Sequence, residues 1–570
     1  MSLISYKPFW PETAVLLGAG AMASLGVPTT IQMGKTIRKL AESEGDKSVE
    51  ERINEVSRFY GIETELGHFL TTLGDSLEKD GASFSKESIE IAKKILPEGL
   101  SEEKITAMIL QWKAHYDWNA LRRLAIKIPI ENENYIIDLY NIIDGSLVNN
   151  HGVQVQDAAS GEPVFLYSHR LRAARNLLVL LSNLMIACAY HKTRIENPKD
   201  FEPYLEFIKT LGELMHREAI DLEVLEYGRR IFYMMSFSTI SFNFDPIFMW
   251  FRFVLNSVLN KNPPYLGKRN VQVRLHHDLA VFAVVKGENS PPEVYPSEGF
   301  YLTNETLSRR INRVGDCGHL YRISKYYCVH GGTCIRECEN CGKMMLVLGE
   351  WTEISKDLFS PPPFKTNLFE RTPYSKEEED AYNEGQYDAV QCTFCASMTY
   401  AYNSTMVMQT AYKGGHVSFL EEIQRDAKVS LSGAKHVILL GYQLPPDDVI
   451  WRSAIVAKQN HEDVYCSVVV GYEGEDRWIE GYELVQYVKK TKENIKKEKW
   501  ADYGINAIDA AMTIFDPNNV RAYTGGIPQV WCSDGNLVDK DKIKDLLYPS
   551  KVFPEGVAAM RIKDWEKYKK

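Results

Sequence analysis

The stretch VLLGAGAMASLGVP, residues 15–28, is the feature that most limits how this chain can fold. Its apolar start predicts a short buried strand over residues 14–17, and its closely spaced glycines predict a tight turn. The segment that follows carries Ile31, Ile37 and Leu40 at helical spacing. A strand that leads through a glycine turn into a helix is typical of a parallel α/β sheet.

Later segments extend this pattern. Between about residues 50 and 230 the sequence is mostly helical in pattern, and the apolar run Asn176–Tyr190 predicts a buried helix because it is short for a membrane span. We therefore expect an α/β fold, a doubly wound parallel sheet with a large helical insertion. Further strands are predicted in FSTISFNFDP (237–246), NVQVRLHHDLAVFAVV (270–285), HVILLGYQLPPDD (436–448) and DVYCSVVVGYEG (463–474).

Composition excludes some classes of protein. The chain has 570 residues and a formal net charge of −10. The acidic balance argues against a general nucleic-acid binder, because phosphate contacts need a basic face. The opening MSLISYKPFW lacks the basic start and apolar stretch of a secretory signal. We expect a cytoplasmic protein with no membrane segment and no direct nucleic-acid binding.

Two C-x-x-C pairs predict a metal module. CENC supplies Cys338 and Cys341, and CTFC supplies Cys392 and Cys395. Two such thiolate pairs can close a tetrahedral zinc site, which would be structural because no coordination position stays open. The long gap between the pairs predicts that SPPPF, residues 360–364, loops out. A redox pair and buried free thiols are the alternatives. Three other cysteines could replace a ligand but lack paired spacing, namely Cys317, Cys328 and Cys334.

The glycine turn has two interpretations. Gly18, Gly20 and Ala23 satisfy a G-x-G-x-x-A pattern, in which glycines let the main chain approach a diphosphate at a helix N-terminus. An ordinary tight turn is the alternative. The GKT of residues 34–36 is interpreted as helix, since Thr29 stands where a phosphate loop needs its first glycine.

Three motifs in order resemble those of the sirtuin family. Gly18-Ala19-Gly20 followed by Gly26-Val27-Pro28 resembles the opening G-A-G…G-I-P motif, SFNFD (241–245) resembles T-Q-N-x-D, and LLGYQL (439–444) resembles the later turn that closes over the dinucleotide. The resemblance implies a sirtuin-like Rossmann core, a small zinc module and NAD as the substrate. The NAD-binding residues it implies are Gly18, Ala19, Gly20, Gly26, Pro28, Asn243, Asp245, Gly441, Tyr442 and Leu444.

The resemblance also implies roles at the reacting ribose. Asn243 would bind the ribose or order a water molecule, and Asp245 would hold the nicotinamide amide. A histidine would act as the base. His276 in LHHD is favoured because it follows a predicted strand about thirty residues after Asn243, and His330 in CVHGG is the alternative.

Departures from the family bear on the reaction. Thr29, Thr30 and Ile31 stand where deacylating sirtuins have D-F-R, and Met22 replaces the usual serine. The large insertion and the sequence GYQLPPDD (441–448) resemble those of sirtuin-like effectors of bacterial antiphage defence. The resemblance implies a toxic enzyme that hydrolyses NAD+ to nicotinamide and ADP-ribose, forms a homo-oligomer and has a HerA-like ATPase as a partner. A protein deacylase, an ADP-ribosyltransferase and a non-catalytic NAD or ADP-ribose sensor are the alternatives.

These expectations divide the chain into six segments. The predicted division is 1–45 for the first part of the NAD-binding core, 46–230 for the helical insertion, 231–316 for the core continued, 317–400 for the zinc module, 401–480 for the core completed and 481–570 for a C-terminal lobe.

Overall fold

The structure is a computed structural model. It describes residues 11–41, 65–74, 84–129, 135–156, 162–225, 235–262, 264–266, 269–275, 281–284, 293–296, 319–347, 358–366, 369, 373, 375–392, 394–407, 418–445, 448–457, 464–470, 474–498, 503–533 and 537–568.

The described strands and α-helices alternate along much of the chain. The strands are β1 (Thr13–Leu17), β2 (Val153–Gln156), β3 (Pro163–Leu166), β4 (Met235–Ser241), β5 (Tyr265–Leu266), β6 (Arg269–Arg274), β7 (Val281–Val284), β8 (Glu293–Pro296), β9 (His319–Cys328), β10 (Ile335–Glu337), β11 (Met344–Val347), β12 (Val390–Gln391), β13 (Met398–Thr399), β14 (His436–Leu440), β15 (Tyr465–Val469), β16 (Trp478–Glu480), β17 (Val520–Tyr523), β18 (Cys532–Ser533) and β19 (Leu537–Val538). The helices are α1 (Thr30–Ala41), α2 (Glu65–Gly74), α3 (Lys86–Lys93), α4 (Glu102–His115), α5 (Trp118–Lys127), α6 (Tyr135–Val148), α7 (Ser168–Glu196), α8 (Glu202–Asp221), α9 (Ile247–Leu259), α10 (Lys376–Asn383), α11 (Ser418–Gly433), α12 (Val449–Val456), α13 (Gly481–Glu498), α14 (Tyr503–Ile514), α15 (Lys540–Leu547) and α16 (Val557–Tyr568).

A mostly parallel sheet forms the centre of the molecule. Its strand order is β16-β17-β15-β14-β1-β4-β9-β6-β5. The inner strands, from β17 to β6, are mutually parallel, and the outer strands β16 and β5 are antiparallel to their neighbours. This architecture confirms an α/β fold built on a mostly parallel sheet.

The order in which the chain adds strands to this sheet reverses at β1. From β1 it continues to β4 on one side, and it returns much later to β14 on the other side. In open α/β sheets, ligands bind beyond the carboxyl ends of the strands at such a reversal of strand order. The loops that follow β1, β4 and β14 therefore surround the expected crevice.

Continuous apolar runs explain why these strands are central. β1 (TAVLL), β14 (HVILL) and β15 (YCSVV) are buried at every position, as expected for parallel strands covered on both faces. Buried side chains of α1–α8 join those of the sheet in a single hydrophobic cluster. The helical insertion is therefore packed against the core.

Helix α7 contains the predicted buried run Asn176–Tyr190. Within the described parts of the chain it is the one helix whose length and composition would suit a membrane span, and 89% of its apolar window is buried in the protein. Its neighbours in the core supply the apolar surroundings that a bilayer would otherwise provide. This burial bears out the prediction of a core helix.

Two predicted boundaries are wrong. The core is not complete at residue 480, because β17 pairs in parallel with β15 within the proposed C-terminal lobe. The zinc module does not begin at residue 317, because β9 lies in the main sheet between β4 and β6. In both cases the pairing is with a strand that is distant in sequence, which local patterns do not reveal.

Candidate functional site

The turn after β1 crosses the turn after β14 in direct contact. Gly18 N donates to Leu440 O at 3.0 Å, and Gly20 N donates to Gly441 O at 3.1 Å. A Cβ atom on Gly18 would lie 2.5 Å from Gly441 O. Gly441 has φ +61°, and a Cβ there would lie 2.2 Å from Ala21 N. Both positions require glycine because no side chain fits between the two main chains.

This crossing changes the role assigned to the first two glycines. Since the amides of Gly18 and Gly20 already donate to protein carbonyls, they are not available as diphosphate donors in this arrangement, contrary to the prediction. The turn continues as a 3-10 helix over Ala19–Leu25 and ends at Gly26, whose φ is +76°. Ala19 and Gly20 are half-buried, whereas Pro28 is buried ahead of α1.

The helical insertion holds this turn from the other side. Tyr204 of α8 donates to Ala21 O at 2.8 Å, and its hydroxyl lies 2.5 Å from Ser24 Oγ. A Cβ on Gly26 would lie 2.4 Å from Thr193 Oγ1 of α7. The insertion therefore contributes directly to the shape of the candidate site.

The loop after β4 carries Asn243, and its side-chain amide is unusual. Phe242 N donates to Leu17 O at 2.9 Å, which ties this loop to the end of β1. Asn243 is only 5% exposed, yet within the described part of the chain neither atom of its side-chain amide has a hydrogen-bond partner. Buried polar groups in native proteins are nearly always paired, so this amide is poised for a ligand or a water molecule.

Asp245 lies two residues further on and is also buried. Burial raises the pKa of its carboxyl group to about 7, and hydrogen bonds from the backbone amides of Ile247 and of Asp245 itself oppose that rise. Ile247 N donates to Asp245 Oδ1 at 3.2 Å, at the start of α9. The carboxyl group therefore exchanges its proton near neutral pH.

His330 follows β9, the strand next to β4. Its ring lies 5.3 Å from the Phe242 ring and 6.3 Å from the Phe244 ring, measured between centroids, so it contacts both neighbours of Asn243. Thr333 N donates to Phe244 O at 2.9 Å and joins the two loops. Gly331, with φ +71°, permits this path, because a Cβ there would lie 2.2 Å from Thr405 O.

The favoured histidine, His276, lies outside the described residues. The strand before it, β6, ends at Arg274 and is separated from β4 by β9. Of the two candidates, His330 is the one that follows a strand directly adjacent to β4, the strand that precedes Asn243.

Asp448 is a buried acid that sequence reasoning did not select. Its Oδ1 lies 3.9 Å from His330 Nε2, and its Oδ2 accepts a hydrogen bond from Tyr442 at 2.6 Å. The Tyr442 ring stacks on Phe242 at 4.0 Å with an interplanar angle of 7°. The sequence feature that could have identified it is its position as the last acid of GYQLPPDD, shortly after β14. Leu444, in the same loop, adopts a left-handed φ of +50°.

The four paired cysteines come together as a candidate metal centre. One sulfur atom from each of Cys338, Cys341, Cys392 and Cys395 lies within 4.8 Å of the others. Two of the Sγ–Sγ distances are 3.5 and 3.7 Å. Tetrahedral zinc with bonds of about 2.3 Å requires sulfurs about 3.8 Å apart, so the donor set fits zinc.

Both cysteine turns have the same local form. Gly342 N donates to Cys338 O at 2.7 Å, and Ala396 N donates to Cys392 O at 2.9 Å. Gly342 and Ala396 both have left-handed φ, at 64° and 60°. Each tight turn presents its two sulfurs on one side, as the C-x-x-C spacing predicts.

The prediction that SPPPF loops out is wrong. Residues 358–364 are buried. Ser360 N donates to Thr333 O at 3.2 Å, and Arg336 Nε donates to Ser360 Oγ at 3.3 Å. The Phe364 ring packs 4.9 Å from Phe69 of α2. The segment therefore contacts Arg336 of β10 at one end and Phe69 of the helical insertion at the other.

Comparison with protein-family models and with curated proteins finds no match for this chain. The fold and the site define its class as an α/β protein with a mostly parallel central sheet. It also carries a tight four-cysteine cluster able to bind a metal such as zinc.

Proposed function

We propose that this protein hydrolyses NAD+ to nicotinamide and ADP-ribose at the carboxyl ends of β1, β4 and β14. The buried, unpartnered amide of Asn243 is the observation that carries the proposal. Leaving such an amide unpaired costs about 1–3 kcal/mol of stability. A substrate that hydrogen-bonds to the amide would give this unfavourable arrangement a function. The site's position at the reversal of strand order supports a dinucleotide as that substrate.

Separate residues of the site bind the substrate and transfer the proton. Asn243 binds the ribose or the attacking water, and Asp245, once protonated, donates to the carboxamide oxygen of nicotinamide. His330 takes the proton released by the nucleophile. Ala19, Gly20, Gly441, Tyr442 and Leu444 shape the crevice around the dinucleotide, and Gly26 and Pro28 fix the turn that leads into α1.

The reaction is balanced without an additional reagent. Water oxygen bonds to the ribose carbon while the bond from that carbon to the nicotinamide nitrogen breaks. The bonding electron pair returns to the nicotinamide ring and cancels its positive charge. One proton leaves the water and is accepted by the histidine. Buried dipoles around the ribose stabilise the positive charge that develops there.

The biological role is part of the same proposal. Resemblance to sirtuin-like defence effectors supports a toxic enzyme that is restrained until infection or a partner releases it, as a homo-oligomer with a HerA-like ATPase. The burial of Asn243, Asp245 and His330 is in keeping with restraint, because substrate must displace protein contacts to reach them. Zinc in the cysteine cluster would hold the module in place and take no part in the reaction.

Expression in bacteria tests this proposal with the full chain. Cellular NAD should fall, and nicotinamide and ADP-ribose should accumulate, on phage challenge of cells that carry the wild-type protein and its neighbouring genes. Asn243→Ala should abolish the change, whereas Asn256→Ala, in a buried asparagine outside the site, should retain it. Equal depletion with Asn243→Ala would refute the site assignment. An acyl-peptide requirement for nicotinamide release from purified protein would indicate a deacylase instead.

A further inference from the structure

The structure brings together His330 and Asp448, two buried residues that are distant in sequence. We propose that Asp448, held in place by Tyr442, is a positioning residue that fixes the His330 ring with its proton on Nε2 and Nδ1 as the base. This inference rests on the proposed function for its catalytic consequence. Its geometric part stands independently of NAD.

Both members of the pair are shielded from solvent. His330 and Asp448 are 0% exposed. The separation of 3.9 Å between Nε2 and Oδ1 is longer than a hydrogen bond, and the two groups attract each other as charges once the ring is protonated. Catalytic hydrogen bonds are often long before substrate binds and tighten in the complex.

Hydrogen bonds hold Asp448 in its position. Its N donates to Pro445 O at 3.1 Å, and its O accepts from Arg452 N at 3.0 Å at the start of α12. Tyr442 donates to Oδ2, so Oδ1 is the oxygen directed at the histidine. The main chain and one hydroxyl thus determine which way the carboxylate points.

Tyr442 is in turn fixed by the loop that carries Asn243. Its ring lies almost flat on Phe242, and Phe242 also meets the His330 ring edge to face at 5.3 Å. A single packed group of rings therefore joins the loop that carries Asn243 to the histidine and its carboxylate. Movement of any one of these rings would change the alignment of the others.

A carboxylate selects one form of the neighbouring imidazole. When the two groups close to hydrogen-bonding distance, ionised Asp448 can only accept, so it favours the tautomer with hydrogen on Nε2. The lone pair of Nδ1 then remains to take a proton from water or a ribose hydroxyl. Proton transfer creates an imidazolium in a buried place, and the adjacent carboxylate stabilises that charge.

Selective nitrogen-15 labelling of histidine tests the geometric part. In wild-type protein, the His330 signals should report hydrogen on Nε2, with assignment from His330→Gln. Asp448→Asn should shift them toward a mixture of tautomers, and Asp448→Glu should restore much of the wild-type pattern. Asp388→Asn is the matched control, since Asp388 is also buried and its Oδ2 accepts from Ala401 N at 2.8 Å. It should leave the His330 signals unchanged.

Kinetics on activated protein tests the catalytic part. Asp448→Asn should lower kcat about 100-fold or more with KM within about threefold, and Tyr442→Phe should lower kcat about threefold to tenfold. Adding Asp448→Asn to His330→Gln should cause no further loss, because the carboxylate acts only through the ring. An additive loss, or a tautomer unaffected by Asp448→Asn, would overturn the inference. A changed tautomer in protein that never releases nicotinamide would support the positioning role while refuting the proposed function.

Discussion

The main chain of Gly18 passes so close to Gly441 that a single methyl group at Gly18 would lie 2.5 Å from the Gly441 carbonyl oxygen. This contact joins the loops after β1 and β14, the two strands between which the strand order reverses. Glycine at both positions is thus a requirement of the fold before it is a requirement of any ligand.

Gly441→Ala should destabilise the protein strongly. The new methyl group would meet Ala21 N at 2.2 Å, and the left-handed backbone adds about 1 kcal/mol of strain. We expect a total loss above about 3 kcal/mol, measured as a fall in Tm or in the urea midpoint. Gly99→Ala is the matched control, because Gly99 has φ +86° but open space around it. Equal losses for the two variants would contradict the close crossing.

Asn243→Ala should remove NAD cleavage without lowering stability. The amide has no partner in the described structure, so its removal relieves an unsatisfied buried group. Asn256→Ala should instead cost about 1–3 kcal/mol, since Asn256 Oδ1 accepts from Leu275 N at 3.1 Å. Thermal melts and nicotinamide release should be measured on both. A Tm for Asn243→Ala below that of Asn256→Ala would mean that the Asn243 amide is structural.

Asp245→Asn should stabilise the protein in a pH-dependent way. Burial raises the pKa of Asp245 to about 7, whereas a solvated aspartate has a pKa near 3.9, about three units lower. Burial of the ionised carboxylate destabilises the folded protein fully above pH 7. This destabilisation is lost as pH falls toward 4, where the group is protonated in both the folded and the unfolded state. Asparagine carries no such cost.

The stabilisation by Asp245→Asn should therefore reach up to about 4 kcal/mol at pH 8 and vanish near pH 4. Paired melts of variant and wild type over this range measure it. A stability difference for Asp245→Asn that does not change with pH would show that the carboxyl group is not held in the protonated form.

Purified protein should contain about one zinc ion per chain. Cys338→Ser should lose the metal and lower the Tm by several degrees, because the four sulfurs lose their common partner. Cys188→Ser, a buried cysteine of α7 outside the cluster, should keep the metal. Elemental analysis and free-thiol titration distinguish the cases. Metal-free protein with disulfide-bonded pairs would establish the redox interpretation.

Local patterns were enough to predict much of the fold. The run AVLL followed by glycines predicted β1 and its turn, and the apolar runs at 436–440 and 465–469 predicted β14 and β15. The paired spacing of the cysteines predicted their cluster. Each of these signals is contained within a few neighbouring residues, where hydrophobic period and turn chemistry act directly.

The rest depended on contacts between distant segments. The four residues VRAY of β17 carry too little pattern to reveal that they extend the sheet beside β15. The preference for His276 relied on distance along the chain from Asn243 and stays a prediction, since His276 lies outside the described residues. Adjacency of β9 and β4 brings His330 to the Asn243 loop. Asp448 faces His330 only because β14 and β9 end at the same edge of the sheet.

The most direct test of the account is an experimental structure of the protein with ADP-ribose bound. We predict that the terminal ribose lies within hydrogen-bonding distance of the Asn243 amide and next to the His330 ring, with the diphosphate alongside the loops that follow β1 and β14. A bound nucleotide whose ribose lies away from Asn243 would contradict the central claim.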